Sequence, residues 1–210
     1  MGKSITDMIS MGEGLQLDFK YCVNDSRKIA RSMVAFANTA GGSLLLGVKD
    51  NGRIAGVKTS EEFYMIEQAA TLYCRPSLTF RHATHLVESK TVLQIIVPFQ
   101  GIVPYLAPDE HGRWKVYIRK GDQNLLANRI LLEVWKQNKS GANVRLSVDR
   151  DVEMLLNYLN HNEYISLETF LQITGKGKRA TEDILVGLIL MNLLDMEFTE
   201  SSCQFRRKKN

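Results

Sequence analysis

Residues 36–52, with the sequence FANTAGGSLLLGVKDNG, are the stretch from which the fold can be read. The two adjacent glycines end a helix, because glycine readily adopts the left-handed backbone that closes many helices. Residues 43–48 follow as a continuous apolar run of strand length, which is typical of a strand covered on both faces. Asn51-Gly52 favours a hairpin turn and predicts that residues 53–57 return beside this strand.

The flanking sequence predicts the other elements of a first domain. Residues 15–20 alternate apolar and polar side chains, which indicates a half-buried strand. Residues 24–26 offer three helix caps before apolar positions that recur at helical spacing over 29–37. Further predicted elements are a helix from Ser60 to Tyr73, strands at 78–87, 91–98 and 114–119, and a helix at 128–136. This mixture predicts an α+β fold in which helices pack on a mixed sheet.

A second, smaller domain is predicted to follow a polar linker. The expected organisation is a first domain at 1–138, a linker at 139–147 and a second domain at 148–210. The second domain combines helices at 150–160, 166–173 and 180–192 with a β-ribbon over 194–205. Three short helices followed by a hairpin are typical of a winged helix-turn-helix domain.

Composition narrows the class of protein. The chain has 210 residues, of which 44% are hydrophobic, as expected for a globular protein with one large or two small domains. No apolar run approaches the roughly 20 residues that a membrane span requires. The beginning of the chain lacks an apolar signal region, and the three cysteines are scattered. We therefore expect a cytoplasmic protein without a membrane partner.

The net charge of +4 is unevenly distributed. Residues 1–145 contain 19 basic against 13 acidic side chains, whereas residues 146–210 contain 8 against 10. A mildly basic first part suits a nucleic-acid partner, although a solvated protein surface explains the same charge. No phosphate-binding loop of the Walker type is present, which argues against a conventional ATPase.

Three carboxylates are candidates for a metal site. Glu13 and Asp18 surround the first predicted strand, and Asp50 follows the buried one. If the two strands are neighbours, the three side chains could converge at one end of the sheet and hold a divalent ion that activates water. The alternative interpretation is structural, with Asp50 forming the turn and Asp18 pairing with Lys20.

Residues 38–42 are candidates for phosphate binding. Asn38 and Thr39 provide polar side chains, and the glycines permit a close approach of the backbone to a ligand. A helix C-terminus followed by a tight turn explains the same residues without a ligand.

The first domain resembles the AlbA-2 domain of the Schlafen type, which occurs in many bacterial transcriptional regulators. The resemblance rests on five segments in order: EGLQLDFK at 13–20, FANTAGG at 36–42, LLGVKDNGRIAG at 45–56, VPY at 103–105 and YIRKG at 117–121. The resemblance implies DNA binding or, as described historically, divergent ATP binding. Some animal members cut tRNA and rRNA with three metal-bound carboxylates, which correspond by motif to Glu13, Asp18 and Asp50, with Asp18 replacing the usual glutamate.

We therefore expect a nucleic-acid-binding protein, and specifically a DNA-binding transcriptional regulator rather than an enzyme. DNA or RNA is the expected partner, and a homodimer is plausible because such regulators usually meet paired half-sites. The alternatives are an endoribonuclease that uses Mn²⁺ or Mg²⁺, and an ATP sensor or protein-docking module. The residues expected to contact phosphates are Lys20, Arg27, Lys28, Arg31, Asn38, Thr39, Gly41, Gly42, Arg119, Lys120, Lys178 and Arg179.

Overall fold

The structure is a computed structural model that describes residues 4–57, 59–101, 104–141, 150–199 and 202–208. Most of the predicted linker lies outside these ranges, as do residue 103 of the motif at 103–105 and residues 200–201 of the predicted ribbon. The chain forms two compact units, Met1–Leu126 and Ala127–Asn210. The division is earlier than the predicted boundary at residue 138, because Ile130 and Val134 are buried in the core of the second unit.

The first unit contains three helices and seven strands within the described residues. In chain order these are α1 (Ile5–Met11), β1 (Leu17–Lys20), α2 (Ser26–Thr39), β2 (Gly42–Leu46), α3 (Glu61–Leu72), β3 (Arg81–Val87), β4 (Lys90–Val97), β5 (Leu106–Pro108), β6 (Trp114–Lys120) and β7 (Gln123–Leu126). One sheet has the order β1-β2-β4-β3, with β1 parallel to β2 and the other pairs antiparallel. The other sheet, β5-β6-β7, is antiparallel. The predicted α+β class is confirmed.

Strand β2 lies inside its sheet and is covered on both faces, as its apolar sequence predicts. Leu44 and Leu46 belong to the core that contains α2, whereas Leu45 packs in a separate cluster with Ile5 of α1. Successive side chains of a strand point to opposite faces, so this division follows directly from the alternation. Asp18 is paired in register with Leu44 and therefore lies on the α2 side of β1.

Helix α2 is the central element of the first unit. Asp25 caps its N-terminus by accepting hydrogen bonds from the backbone amides of Arg27 and Lys28, at 2.8 and 3.3 Å. The helix ends close to the chain that leaves β4, and a Cβ at Gly41 would lie 2.8 Å from the backbone nitrogen of Phe99. Gly41 also has a φ of +67°, so both sterics and backbone favour glycine there.

The structure differs from the local predictions in two places, the chain after the Asn51-Gly52 turn and the start of the first unit. The Asn51-Gly52 turn forms, with a hydrogen bond from Gly52 N to Lys49 O at 2.8 Å. The returning chain at 53–57 makes one isolated bridge, Val48 to Ile54, instead of a strand. Helix α1 was not predicted, although its Ser4 and Asp7 form a reciprocal capping box that the sequence contains.

The second unit contains four helices and three strands within its described residues. They are α4 (Arg129–Ser140), α5 (Arg150–His161), β8 (Ile165–Ser166), α6 (Leu167–Thr174), α7 (Lys178–Leu190), β9 (Leu194–Phe198) and β10 (Cys203–Arg207). The strands form an antiparallel sheet of order β8-β10-β9. None of the helices in the described parts of either unit is long and apolar enough to cross a membrane.

Candidate functional site

Asp18 is the centre of a partly buried group of charges in the first unit. Its side chain is 5% exposed, and its Oδ2 and Oδ1 atoms lie 2.9 Å from Lys20 Nζ and 3.3 Å from Arg119 Nη2. Glu13 is hydrogen-bonded to Asp18 and also accepts a 2.7 Å hydrogen bond from the backbone amide of Phe19. We call Glu13, Asp18, Lys20 and Arg119 the acid–arginine cluster.

The two carboxyl groups of this cluster have pKa values that move apart. Burial and the hydrogen bond to Asp18 raise the pKa of Glu13 above its usual value. Burial opposes ionisation of Asp18 as well, but the hydrogen bond from Glu13 and the charge of Lys20 outweigh it and lower the pKa of Asp18. The surroundings therefore disfavour ionisation of Glu13 and favour ionisation of Asp18.

Arg119 is part of the folded interior, which corrects its predicted contact with phosphate. The side chain is 1% exposed. Its nitrogen atoms donate to Gly14 O at 3.1 Å, to Leu17 O at 3.3 Å and to Asn124 Oδ1 at 3.0 Å. A guanidinium that is enclosed and bonded in this way links β6 and β7 to β1, and no part of it is left for a solvent-borne ligand.

Asp50 does not join the other two carboxylates. Strands β1 and β2 are neighbours, as the metal hypothesis requires, but Asp50 lies beyond the end of β2 in an exposed turn. Among the residues that the structure describes, no three His, Cys, Asp or Glu side chains come together as a metal site. Asp18 is already neutralised by two cations, so this arrangement does not fit Mn²⁺ or Mg²⁺.

The polar side chains of the segment 38–42, which the sequence predicts to bind phosphate, are bonded within the fold. Asn38 donates to the carbonyl oxygens of Tyr105 and Tyr117 at 2.9 and 2.8 Å, and it accepts from Tyr105 N at 2.8 Å. Thr39 Oγ1 accepts a 2.8 Å bond from the backbone amide of Arg119. A Cβ at the neighbouring Gly42 would collide with the ring of residue 36 at 2.4 Å. The polar atoms here are engaged by the protein itself.

The remaining predicted phosphate ligands of the first unit differ in their availability. Lys20 is half-buried and bonded within the acid–arginine cluster. Arg31 is half-buried, and its Nε donates to Pro108 O at 2.9 Å. Arg27, Lys28 and Lys120 are exposed.

Sequence reasoning missed a set of aromatic and basic residues near the start of α2. The guanidinium carbon of Arg75 lies 3.8 Å from the ring centre of Trp114, and that of Arg27 lies 5.5 Å from the ring centre of Tyr73. Both distances are typical of cation–π stacking. Of the three missed residues, Trp114 is far in sequence from Tyr73 and Arg75, so the only signal was their residue type.

The second unit presents two of the predicted cations at the start of α7. Lys178 and Arg179 are exposed. The acidic side chains that follow them form ion pairs with Arg129 of α4, which lies 2.7 Å from Glu182 and 2.9 Å from Asp183. The single positive charge of Arg129 therefore offsets part of their negative charge within the unit.

Solved structures with a similar arrangement were found at low sequence identity. The DIP2311 protein from Corynebacterium diphtheriae is 20% identical, with a TM-score of 0.46, over 64% of this chain and 31% of that protein. The N-terminal domain of a RecG-related ATP-dependent DNA helicase from Nitrosomonas europaea is also 20% identical, with a TM-score of 0.39, over 61% of this chain and 97% of that domain. The present chain thus spans about a third of the DIP2311 protein.

No protein with curated annotation matches this sequence significantly. The sequence model of the family Schlafen, AlbA_2 matches residues 13–128, which is more than half of the 210 residues. The matched range includes the acid–arginine cluster, all of α2 and both pairs of stacked side chains. The chain therefore belongs to the Schlafen AlbA_2 family.

Proposed function

We propose that this protein binds nucleic acid and acts as a DNA-binding transcriptional regulator. The observation that carries the proposal is the state of Arg27 and Lys28. Both are exposed in the first turn of α2, and the residues described here provide neither with a carboxylate partner. Cations that are not needed to neutralise the fold are available to a polyanion.

The contrast with Lys20 and Arg119 supports this assignment. Those two cations are bonded to Asp18 and stabilise the interior. Within the part of the chain that the structure describes, the side chains of Arg27 and Lys28 form no ion pair, and Arg31 lies one turn further along the same helix. Phosphate contacts position a protein on nucleic acid without selecting a sequence, so this helix would provide affinity rather than specificity.

The proposal that the protein is a DNA-binding transcriptional regulator rests on the second unit. Helices α6 and α7 are joined by three residues, of which Gly175 has a left-handed φ of 64°. A short turn containing glycine between two helices is typical of helix-turn-helix motifs, and β9 and β10 follow α7 as a ribbon. We propose that this unit works as a winged helix, with Lys178 and Arg179 beside DNA phosphates.

The test is a salt titration of binding to duplex DNA and to structured RNA. Each phosphate contact contributes about 0.9 to the slope of log affinity against log salt for a duplex. Replacing both Arg27 and Lys28 by alanine is expected to reduce the slope by about 2 and to weaken binding at low salt. Arg81→Ala is the matched control, because Arg81 is an exposed cation of the same unit on β3.

A separate double variant tests whether the second unit binds duplex DNA. A Lys178→Ala/Arg179→Ala protein is expected to lose affinity for duplex DNA while its affinity for RNA changes little. Equal slopes for the wild type, the Arg27/Lys28 variant and the Arg81 control would contradict nucleic-acid binding by α2. Unchanged duplex affinity in the second variant would contradict the proposed winged helix.

A further inference from the structure

We infer that the first unit has a stacking surface, formed by Arg27, Tyr73, Arg75 and Trp114, that binds the unpaired bases of a single-stranded nucleic acid. The inference rests on the proposed nucleic-acid binding and specifies the partner. The stacking surface differs from the proposed phosphate contacts of α2, because it offers aromatic rings and guanidinium planes as well as positive charge.

The two stacked pairs are neighbours. Tyr73 follows the last residue of α3, and Arg75 is two residues further along the chain, so their Cα atoms are at most about 7 Å apart. Arg75 is exposed, whereas Trp114 and Tyr73 are half-buried. Each arginine therefore covers part of an anchored ring and remains accessible itself.

Main-chain hydrogen bonds hold the stacking surface together. Arg75 N donates to Leu106 O at 2.9 Å, and Leu106 N donates to Arg75 O at 2.8 Å. Pro108, on the same strand as Leu106, is paired with Trp114 of β6. Arg31 of α2 donates to Pro108 O at 2.9 Å. The segment after α3, strands β5 and β6, and helix α2 are thus fixed to one another around the two pairs.

Stacked arginine and aromatic side chains favour a single strand over a duplex. The bases of a duplex are stacked on one another and present only their edges, whereas unpaired bases stack on aromatic rings and on guanidinium planes. A guanidinium that lies on an aromatic ring is also planar and pre-oriented, and its N–H edge can reach a phosphate. A lysine side chain could supply the positive charge, but it has no planar group that stacks on a ring or a base.

The charges around the surface suit a polyanion. The acidic residue next to Pro108 is Asp109, and its carboxylate accepts hydrogen bonds from the backbone amide of His111 and from the amide and Nε of Arg113, all at 2.8 to 2.9 Å. Desolvation opposes ionisation of Asp109, but the bonds from Arg113 outweigh it and lower the pKa of Asp109 to about 2. No ion pair to Arg27 or Arg75 is found among the residues that the structure describes. Glu110 is exposed, and Asp25 accepts a 2.8 Å hydrogen bond from the backbone amide of Arg27 as the cap of α2.

The experiment compares an oligothymidylate of about 12 nucleotides with a duplex of the same length, using the full chain. Arg75→Lys keeps the charge and removes the planar stack, so we expect about a tenfold loss of affinity for the oligothymidylate and no change for the duplex. Tyr73→Leu is a second variant with the same expected selectivity, and circular dichroism checks that each variant is folded.

Fluorescence provides an independent measurement. The chain has two tryptophans, and Trp135→Phe leaves Trp114 as the sole reporter. We expect saturable quenching of Trp114 by the oligothymidylate, at the concentrations where anisotropy shows binding.

The outcomes separate this inference from the proposed function. Binding of both nucleic acids without Trp114 quenching, or with equal effects of Arg75→Lys on the two, overturns the stacking surface and leaves nucleic-acid binding in place. Failure of the wild type to bind either probe at low salt overturns the proposed function, and the inference falls with it.

Discussion

The acid–arginine cluster and the stacking surface both contain arginine, but they use it in opposite ways. In the cluster, the Arg119 side chain is 1% exposed and bonded to Asp18 and to the backbone of neighbouring strands. On the stacking surface, Arg75 is exposed and contacts the face of Trp114. The same residue type stabilises the fold in one place and is available to a ligand in the other.

This difference shows what the distinctive motifs of the chain do. The segments 13–20, 36–42 and 117–121 are the most recognisable parts of the sequence. In the structure their polar atoms mostly bond to one another, as when Thr39 accepts from the amide of Arg119. Recognisable residues can thus be required for folding, while the residues available to a partner lie in unremarkable sequence.

Removing Arg119 should have the largest effect on this comparison. Arg119→Ala leaves the buried Asp18 with one cation and leaves backbone oxygens unpaired, so we expect the free energy of unfolding to fall by about 3 kcal/mol. The matched control is Arg113→Ala, because the Arg113 side chain is 66% exposed in its pair with Asp109 and is expected to contribute less than about 1 kcal/mol. Urea unfolding measures both. Equal losses in the two variants would contradict the role of Arg119 in the interior.

Glu13→Gln sharpens the comparison through pH. Because the pKa of Glu13 is raised in the folded protein, its contribution to stability is complete below the usual value of 4.5 and is lost as the pH rises through the folded pKa. Glutamine can donate to Asp18 at every pH, so the variant should be more stable than the wild type at pH 7 by a few tenths of a kcal/mol. The advantage should vanish towards pH 4.5. A difference that grows as the pH falls would contradict the raised pKa of Glu13.

Asp50→Asn should have the smallest effect. Asp50 is exposed in its turn and does not contact the acid–arginine cluster, so we expect the free energy of unfolding to change by less than about 0.5 kcal/mol. Adding Mn²⁺ should leave the melting temperatures of the wild type and the variant equal. Mn²⁺-dependent cleavage of RNA that disappears in Asp50→Asn would restore the three-carboxylate interpretation.

Much of the fold follows from local sequence. The buried run at 43–48 and the candidate caps at 24–26 predicted β2 and α2, because burial pattern and capping act over a few residues. The placement of helix α4 could not be predicted in this way. Its Ile130 and Val134 form an apolar face that would fit either core, and only the tertiary structure assigns them to the second.

Less of the candidate site could be predicted. Glu13 and Asp18 come together as expected from their position around one strand. The burial of Arg119 depends on the packing of β6 beside β1, which no local pattern reveals. Arg75 and Trp114 meet through the bridge between Arg75 and Leu106, a contact that joins two distant segments of the chain.

The most direct test of the central claim is a hydrogen-exchange comparison of the full chain with and without an oligothymidylate. The claim is that nucleic acid meets the exposed arginines and aromatic rings, and that the acid–arginine cluster serves the interior. The account predicts slower exchange at residues 27–31, 73–75 and 113–116, and unchanged exchange at 13–20 and 49–53. Protection confined to 13–20 and 49–53 would contradict it.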